Sequence, residues 1–182
     1  MDNGAISYRR YLEGDESGFD EVLALYQDRL IFFIHRYVHN LTVAEDLAED
    51  AFVELLVHKR RYTGRVRLKT YLFTIGRNKA LNYLKRASTR RDTALADMDQ
   101  WATEALLLEE RVLEEERKRE VNAALTQINE DYRDVLHLVY MEDMTYEEAG
   151  KVLGKNRKQI ENLAYRARQS LKAVLDKGGF HL

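Results

Sequence analysis

The chain has 182 residues, 45% of them apolar, with no cysteine and no proline, and its 29 Lys and Arg nearly balance its 31 Asp and Glu at a formal net charge of −2. That length and composition suit one large or two small domains with real cores, and the missing thiols exclude disulfides and thiolate metal sites. Absence of proline, with Leu, Ala, Glu, Lys and Arg abundant, predicts an all-α chain without strand pairs.

The opening residues, MDNGAISYRRYLEGDESGFD, are polar and acidic and hold no apolar run fit for a signal or a spanning segment, so a cytoplasmic protein with no membrane partner is expected. From Phe19 the apolar residues Val22, Leu23, Tyr26, Leu30, Phe33, Ile34, Tyr37, Val38 and Leu41 recur at three-and-four spacing, which predicts an amphipathic helix ending near Asn40. His35 and His39 lie four apart on it but lack a Glu-x-x-His partner, and they read as ordinary surface or partly buried histidines. No metal site and no cofactor are expected. Thr42-Val-Ala-Glu45 reads as a capping box that opens a second helix, with Val43, Leu47, Ala51, Phe52, Leu55 and Leu56 inward. Gly64 breaks the pattern, and a third helix is expected from about Leu68 to Ala87 with Leu72, Ile75, Ala80 and Leu84 inward.

Charge is segregated along these elements. Residues 10–58 carry eleven acids and three bases, whereas 59–91 carry twelve bases and no acid. Residues 92–120 hold ten acids and four bases, 121–150 seven acids and one base, and 151–177 two acids and eight bases. Two positive islands in an otherwise acidic chain, each on a helical pattern, point to a polyanion partner. In the first island Tyr62, Tyr71, Phe73 and Tyr83 are interleaved with Arg60, Arg61, Arg65, Arg67, Lys69, Arg77, Lys79, Lys85 and Arg86. Aromatic faces on a cationic track are what holds a single strand with unstacked bases. Phe73 and Tyr83 suit the core equally well.

Residues 92–118 form an acidic candidate linker, although LLLEERVLEEERKREV also suits the start of a helix. A second helical unit follows over 119–178. Tyr132 to Met141 reads as a helix with Val135, Leu136, Leu138, Val139 and Met141 available to a core. Thr145-Tyr-Glu-Glu148 is a capping box for a short helix that ends at Leu153-Gly154, and Asn156 caps a long helix with Ile160, Ala164, Ala167, Leu171, Val174 and Leu175 inward. Helix, tight turn with Gly, and helix with a polar and basic start is the helix-turn-helix geometry that enters the DNA major groove. Its exposed candidates are Asn156, Arg157, Lys158, Gln159, Glu161, Asn162, Tyr165 and Arg166. A plain helical hairpin with a charged face has the same pattern.

Taken together, AEDLAEDAFVELL, RLKTYLFTIGRNKALNYLKR and YRDVLHLVYMEDMTYEEAGKVLGKNRKQIENLAYRARQSL resemble the two domains of bacterial RNA polymerase sigma factors, in the small extracytoplasmic-function group of the sigma-70 family. The resemblance spans roughly 13–90 and 119–176. It implies a region 2 domain over 1–90, an acidic linker over 91–118 and a region 4 helix-turn-helix domain over 119–182. It further implies a non-enzymatic bacterial protein that binds core RNA polymerase and promoter DNA. AEDLAEDAF matches the segment that docks on the β′ clamp helices, which assigns Asp46, Glu49, Asp50 and Phe52 to that interface. Tyr62 to Arg86 matches the segment that opens and reads the −10 element; the 62–68 loop is then the pocket for an extruded base, and Asn78 either bonds a base or ties down the loop. The second domain matches the part that binds the −35 element and the β flap, with Arg166 and Arg168 in a basic Arg-Ala-Arg pattern. Glu161 and Gly150 depart from the usual residues; Glu161 either accepts from a cytosine amine or pairs with an Arg. The family commonly has anti-sigma partners, and so compact an architecture permits one.

Two other functions compete. A stand-alone helix-turn-helix regulator accounts for 145–168 but leaves the basic, aromatic 59–91 segment without a task. An enzyme acting on nucleic acid has acids in plenty here but no motif that gathers them.

Overall fold

Between Ser17 and Val38 one flank of a 22-residue helix, α2, carries Val22, Tyr26, Leu30, Phe33, Ile34 and Tyr37, all buried. Burying side chains of this size contributes about 1.5–3 kcal/mol each, and α2 accordingly becomes the element on which the rest of its unit packs. The computed structural model describes residues 3–90 and 121–178, in which every regular element is helical. They fall in two compact units, 3–90 in the first and 121–178 in the second. The expected linker at 91–118 lies outside the described residues.

In the first unit α1 (Asn3–Leu12) precedes α2, and α3 (Leu41–Val57), a 3₁₀ turn (Lys59–Arg61) and α4 (Leu68–Arg90) follow it. Helix α2 ends where His39 takes a left-handed φ of 52°. The expected capping box at Thr42 does not form, because α3 begins at Leu41 and the Asn40 side chain accepts the Val43 amide instead. The inward face of α3 is correspondingly shifted: Ala44, Ala48, Ala51, Phe52 and Leu55 are buried, while Val43, Leu47 and Leu56 are only half-buried. Helix α4 buries Leu68, Leu72, Phe73, Ile75 and Ala80, with Phe73 5.0 Å from the Phe33 ring. Phe73 therefore belongs to the core, Tyr83 is exposed and Leu84 is half-buried.

Helix α1 has no counterpart among the sequence expectations. Its aliphatics Ile6 and Leu12 are both 45% exposed, and Tyr8 is its large buried side chain. Polar bonds fasten it to α2 and to the turn before it: the Ser7 hydroxyl donates to Glu21 at 2.6 Å, and Arg10 donates to Glu21 at 2.7 Å and, through Nε, to Asp15 of the turn at 2.9 Å. Gly18 permits the close approach, since a Cβ there would run into the Ser7 carbonyl oxygen and the Tyr11 amide.

In the second unit residues 121–127 are helical, followed by α5 (Glu130–Leu136), α6 (Tyr146–Leu153) and α7 (Arg157–Lys177). The end of α5 widens into a π-helix over His137–Met141, so Met141 swings to the surface and Val139 is half-buried, while Met144 takes the core place expected of Met141. The Thr145–Glu148 capping box forms, and Gly154 ends α6 at a φ of 67°. On α7, Ile160, Ala164, Ala167 and Leu175 are buried and Leu171 and Val174 half-buried.

Gly150 is forced by the turn. A Cβ there would stand 2.5 Å from the Lys155 carbonyl oxygen, a backbone atom that cannot rotate away. Gly150→Ala should therefore destabilise the second unit by about 1–3 kcal/mol, read as faster amide exchange confined to α5–α7; unchanged protection there would refute the packing.

Candidate nucleic-acid interface

The acid-free stretch folds as the 3₁₀ turn, a loop and α4. Within the loop the Tyr62 hydroxyl donates to the Val66 carbonyl at 3.0 Å, and Gly64 at a φ of 73° lies between them. Arg60, Arg61, Arg65 and Arg67 are exposed around this closed turn, and Lys69 is half-exposed at the start of α4. Helix α4 then carries Tyr71, Asn78 and Lys85 at spacings of seven, which puts them on one side of the helix. Arg77 parts from Asn78: it is half-buried, with its Nε enclosed and without a hydrogen-bond acceptor among the described residues. Arg86 is exposed one turn from the end. From Tyr71 to Lys85 that side runs about 21 Å at 1.5 Å per residue, a length suited to several nucleotides.

Aromatic rings support this loop from beneath. Tyr62 lies 5.3 Å from Tyr71 and edge-on to Tyr8 at 5.7 Å. Tyr8 in turn donates to the Leu55 carbonyl at 2.9 Å, close to the end of α3. Burial first, then the neighbouring Tyr11, Tyr71 and Tyr62, push the Tyr8 phenol up to about 12. Burial, and after it the Glu54 carboxylate, also raise Tyr71 above its ordinary value, against the opposing effect of the Arg61 guanidinium.

Glu54 is a residue that sequence reasoning missed. One of its oxygens is 3.6 Å from Arg61 and the other 3.4 Å from Lys79, which also stands 3.8 Å from Asp50. The acidic helix α3 thus supplies the counter-charge that the 59–90 stretch lacks. Its outer side presents Asp46, Glu49 and Asp50, followed by Val53 and Val57 at 46% and 68% exposure. These two valines extend the expected docking face. Phe52 does not belong to that face: it is 4% exposed and 6.4 Å from Phe19, so it supports the helix from inside.

In the second unit α6, the Gly154 turn and α7 form the expected helix-turn-helix. Asn156 and Gln159 are exposed, but their side-chain oxygens accept each other's backbone amides at 2.9 and 2.8 Å, so they serve first as the cap of α7. Arg157 reaches Glu147 of α6 at 3.1 Å. Lys158, Glu161, Asn162, Tyr165 and Arg166 are exposed, and Glu161 has no ion-pair partner among the described residues. Arg168 does not join them: it donates to the Tyr140 hydroxyl at 2.6 Å and ties α7 to the π turn. The first turns of both α4 and α7 contain no acid, yet Lys69, Arg157 and Lys158 sit there against the positive end of the helix dipole. That arrangement costs stability in isolation and suits an anion. Among the described residues no group of three His, Cys, Asp or Glu is placed to hold a metal ion, and no helix is long and apolar enough to cross a membrane.

Comparison with known proteins gives the same two parts. Residues 22–90 match the family model described as sigma-70 region 2, and residues 118–171 match that of sigma-70, region 4. The chain is 25% identical over 162 residues to the ECF RNA polymerase sigma factor SigM of Bacillus subtilis, covering 87% of this chain and 96% of that one. Among solved structures it resembles CnrH, determined with the cytosolic domain of CnrY, at a TM-score of 0.66 and 24% identity over 97% of this chain and 99% of that one. It also resembles the sigma factor RpoE of Bartonella quintana, determined with the anti-sigma factor NepR, at a TM-score of 0.63 and 22% identity over 87% and 96%. Both likenesses concern the fold.

The Tyr8 geometry makes a pH-dependent prediction. Tyr8→Phe should cost about 1–2 kcal/mol near neutral pH, the price of an unmet buried carbonyl. Because the folded pKa lies above the unfolded value, the hydroxyl's contribution is whole below pH 10 and lost as pH rises through about 12. The stability gap between wild type and variant, from denaturant titrations at stepped pH, should therefore narrow over that window; a constant gap would contradict it.

Proposed function

The chain belongs to the sigma-70 family of RNA polymerase sigma factors, in its extracytoplasmic-function group, and on that premise we propose how its two units divide the work. As a sigma factor it directs promoter-specific transcription initiation. Helix α3 docks the first unit on core polymerase, at the β′ clamp helices, through Asp46, Glu49 and Asp50 with Val53 and Val57. Exposed carboxylates steer the approach to a basic surface, and the two valines add apolar area once contact is made.

The loop and α4 capture the −10 element as a single strand. Arg60, Arg61, Arg65, Arg67, Lys69, Lys85 and Arg86 neutralise phosphates along the track, while Tyr62, Tyr71 and Asn78 face bases. Release of counterions drives this association, and no acid within 59–91 opposes it. A base turned out of the stack enters the 62–68 loop, walled by Tyr62 and Tyr71, so that opening is achieved by trapping the melted state rather than by catalysing a reaction. The helix-turn-helix holds the −35 element as duplex: Arg157 and Lys158 contact phosphates or guanine edges, and Glu161, Asn162, Tyr165 and Arg166 reach further into the groove. The same unit meets the β flap. An anti-sigma factor that covered the outer side of α3 or either basic island would keep the protein off polymerase, in the bacterial cytoplasm where polymerase works.

The observation that carries this reading is the pairing of an acid-free, tyrosine-lined loop with a helix-turn-helix in one chain. A stand-alone regulator has no use for the first. Run-off transcription on a promoter library with core polymerase, with and without the protein, tests it. Stimulation on a subset of promoters is expected; no stimulation together with no co-purification would refute it. Arg157→Ala and Lys158→Ala should each weaken duplex binding by the holoenzyme and lower its salt slope by about 1, with core affinity unchanged. Asp46→Lys should do the reverse, reducing core affinity about tenfold, which is 1.4 kcal/mol; a variant that lost DNA contact first would show the docking face to be misplaced.

A further inference from the structure

Helix α1 lies ahead of the region 2 match, which begins at residue 22. It also contributes little aliphatic surface to the core, because Ile6 and Leu12 are exposed. Its aromatic side chains are spent elsewhere. Tyr8 bonds the Leu55 carbonyl at the end of α3 and packs its ring edge-on against Tyr62. Tyr11 lies 6.0 Å from Tyr8 and 5.3 Å from Phe19, and the Lys59 ammonium stands 4.4 Å over its ring. Lys59 is the first residue of the 3₁₀ turn that leads into the loop. Both tyrosines therefore grip the segment that carries Arg60, Arg61 and Tyr62.

That segment buries few of its own side chains, and apart from the rings around Tyr62 its tie to α3 is the partly solvated 3.6 Å pair of Arg61 with Glu54. Of residues 59–67 only Tyr62 and Val66 are even half-buried, and the hydrogen bond from Tyr62 to Val66 is internal to the loop. A loop ordered only when the strand arrives would subtract its ordering entropy from the binding energy. Helix α1 is itself fixed, by Arg10 and Ser7 to Glu21 and Asp15, so it serves as a rigid abutment.

We infer that α1 is a positioning element of the strand-capture loop, with Tyr8 setting the Tyr62 ring and Tyr11 setting Lys59 and the turn behind it. The inference rests on the sigma-factor reading above and adds to it a part that the region 2 match does not include. Neither tyrosine is required to touch DNA. Each acts through the residues it holds, by making the loop ready before the strand is present.

The test uses holoenzyme assembled from core polymerase and the full chain, on a promoter that the wild-type protein selects from a duplex library. Tyr11→Leu should lower the rate of open-complex formation, and the affinity for a fluorescent single-stranded oligonucleotide of the non-template −10 sequence, about three- to tenfold. Core affinity and the melting temperature should stay at wild-type values. Tyr11→Phe, which keeps the ring for Lys59, should restore both readouts. Lys59→Met added to Tyr11→Leu should lower them less than the product of the two single effects, since the two residues act as one contact. Tyr8→Phe should lower both readouts at smaller amplitude with core affinity unchanged, while its melting temperature falls with the lost bond to the Leu55 carbonyl. A Tyr11→Leu protein that captures the strand as wild type does, or that loses core affinity to the same degree, overturns the inference, as does strict multiplicativity with Lys59→Met. A wild-type chain that opens no promoter overturns the sigma-factor reading and the inference together, so the two failures are told apart by the wild-type lane.

Discussion

Twelve positive side chains within thirty-three residues repel one another, and the first unit depends on carboxylates arriving from another helix to hold that stretch in place. Glu54 of α3 meets this need, with Arg61 3.6 Å from one oxygen and Lys79 3.4 Å from the other. Each contact alone is a weak, partly solvated pair. Together they join the helix with the acidic outer face to the 3₁₀ turn at the start of the basic surface and to the middle of α4. Arg60, Arg65 and Arg86 are exposed, where a phosphate backbone can collect them.

The aromatic side chains complete the arrangement without adding charge. Tyr8, Tyr62 and Tyr71 form a row of neutral rings beneath the loop, and the Tyr62 hydroxyl closes the loop on itself. Stacking surface for bases is thereby fixed close to the charges that hold the backbone. In the second unit the division is different. Capping bonds at Asn156 and Gln159 make the start of α7 rigid, and that rigid start aims Arg157 and Lys158 outward. Single-strand capture needs rings and a shaped loop, whereas duplex reading needs a helix end held at a fixed angle.

Much of this was legible in the sequence because it follows from periodicity and local chemistry. The all-α class, the break at Gly64, the Thr145 capping box and the Gly154 turn all depend on residues near one another in the chain. What the sequence hid depends on contacts between distant residues. Helix α1 escaped notice because a tyrosine, not an aliphatic stripe, buries it, against a carbonyl 47 positions away. The start of α3 was misplaced at Thr42 because the local Thr-x-x-Glu pattern suits a capping box, whereas Asn40 takes the Val43 amide and the helix begins at Leu41. Met141 was assigned to the core by helical spacing, which the π turn of α5 alters. Among the candidate site residues, exposure of the arginines other than Arg77 was readable from charge alone, but the enclosure of Arg77, the burial of Phe52, the capping duty of Asn156 and Gln159, and the role of Glu54 required the fold. An acidic residue just outside an acid-free window was the available signal for Glu54.

The central claim is that the loop and α4 capture DNA as a single strand. The most direct measurement compares the holoenzyme's affinity for the non-template −10 strand with its affinity for the same sequence as a duplex fragment lacking the −35 element, over a range of salt. Tighter binding of the single strand, weakened in Arg65→Ala and Arg67→Ala with a shallower salt dependence, is the predicted result. Equal affinities, or a preference for the duplex that these two substitutions leave intact, would contradict the account.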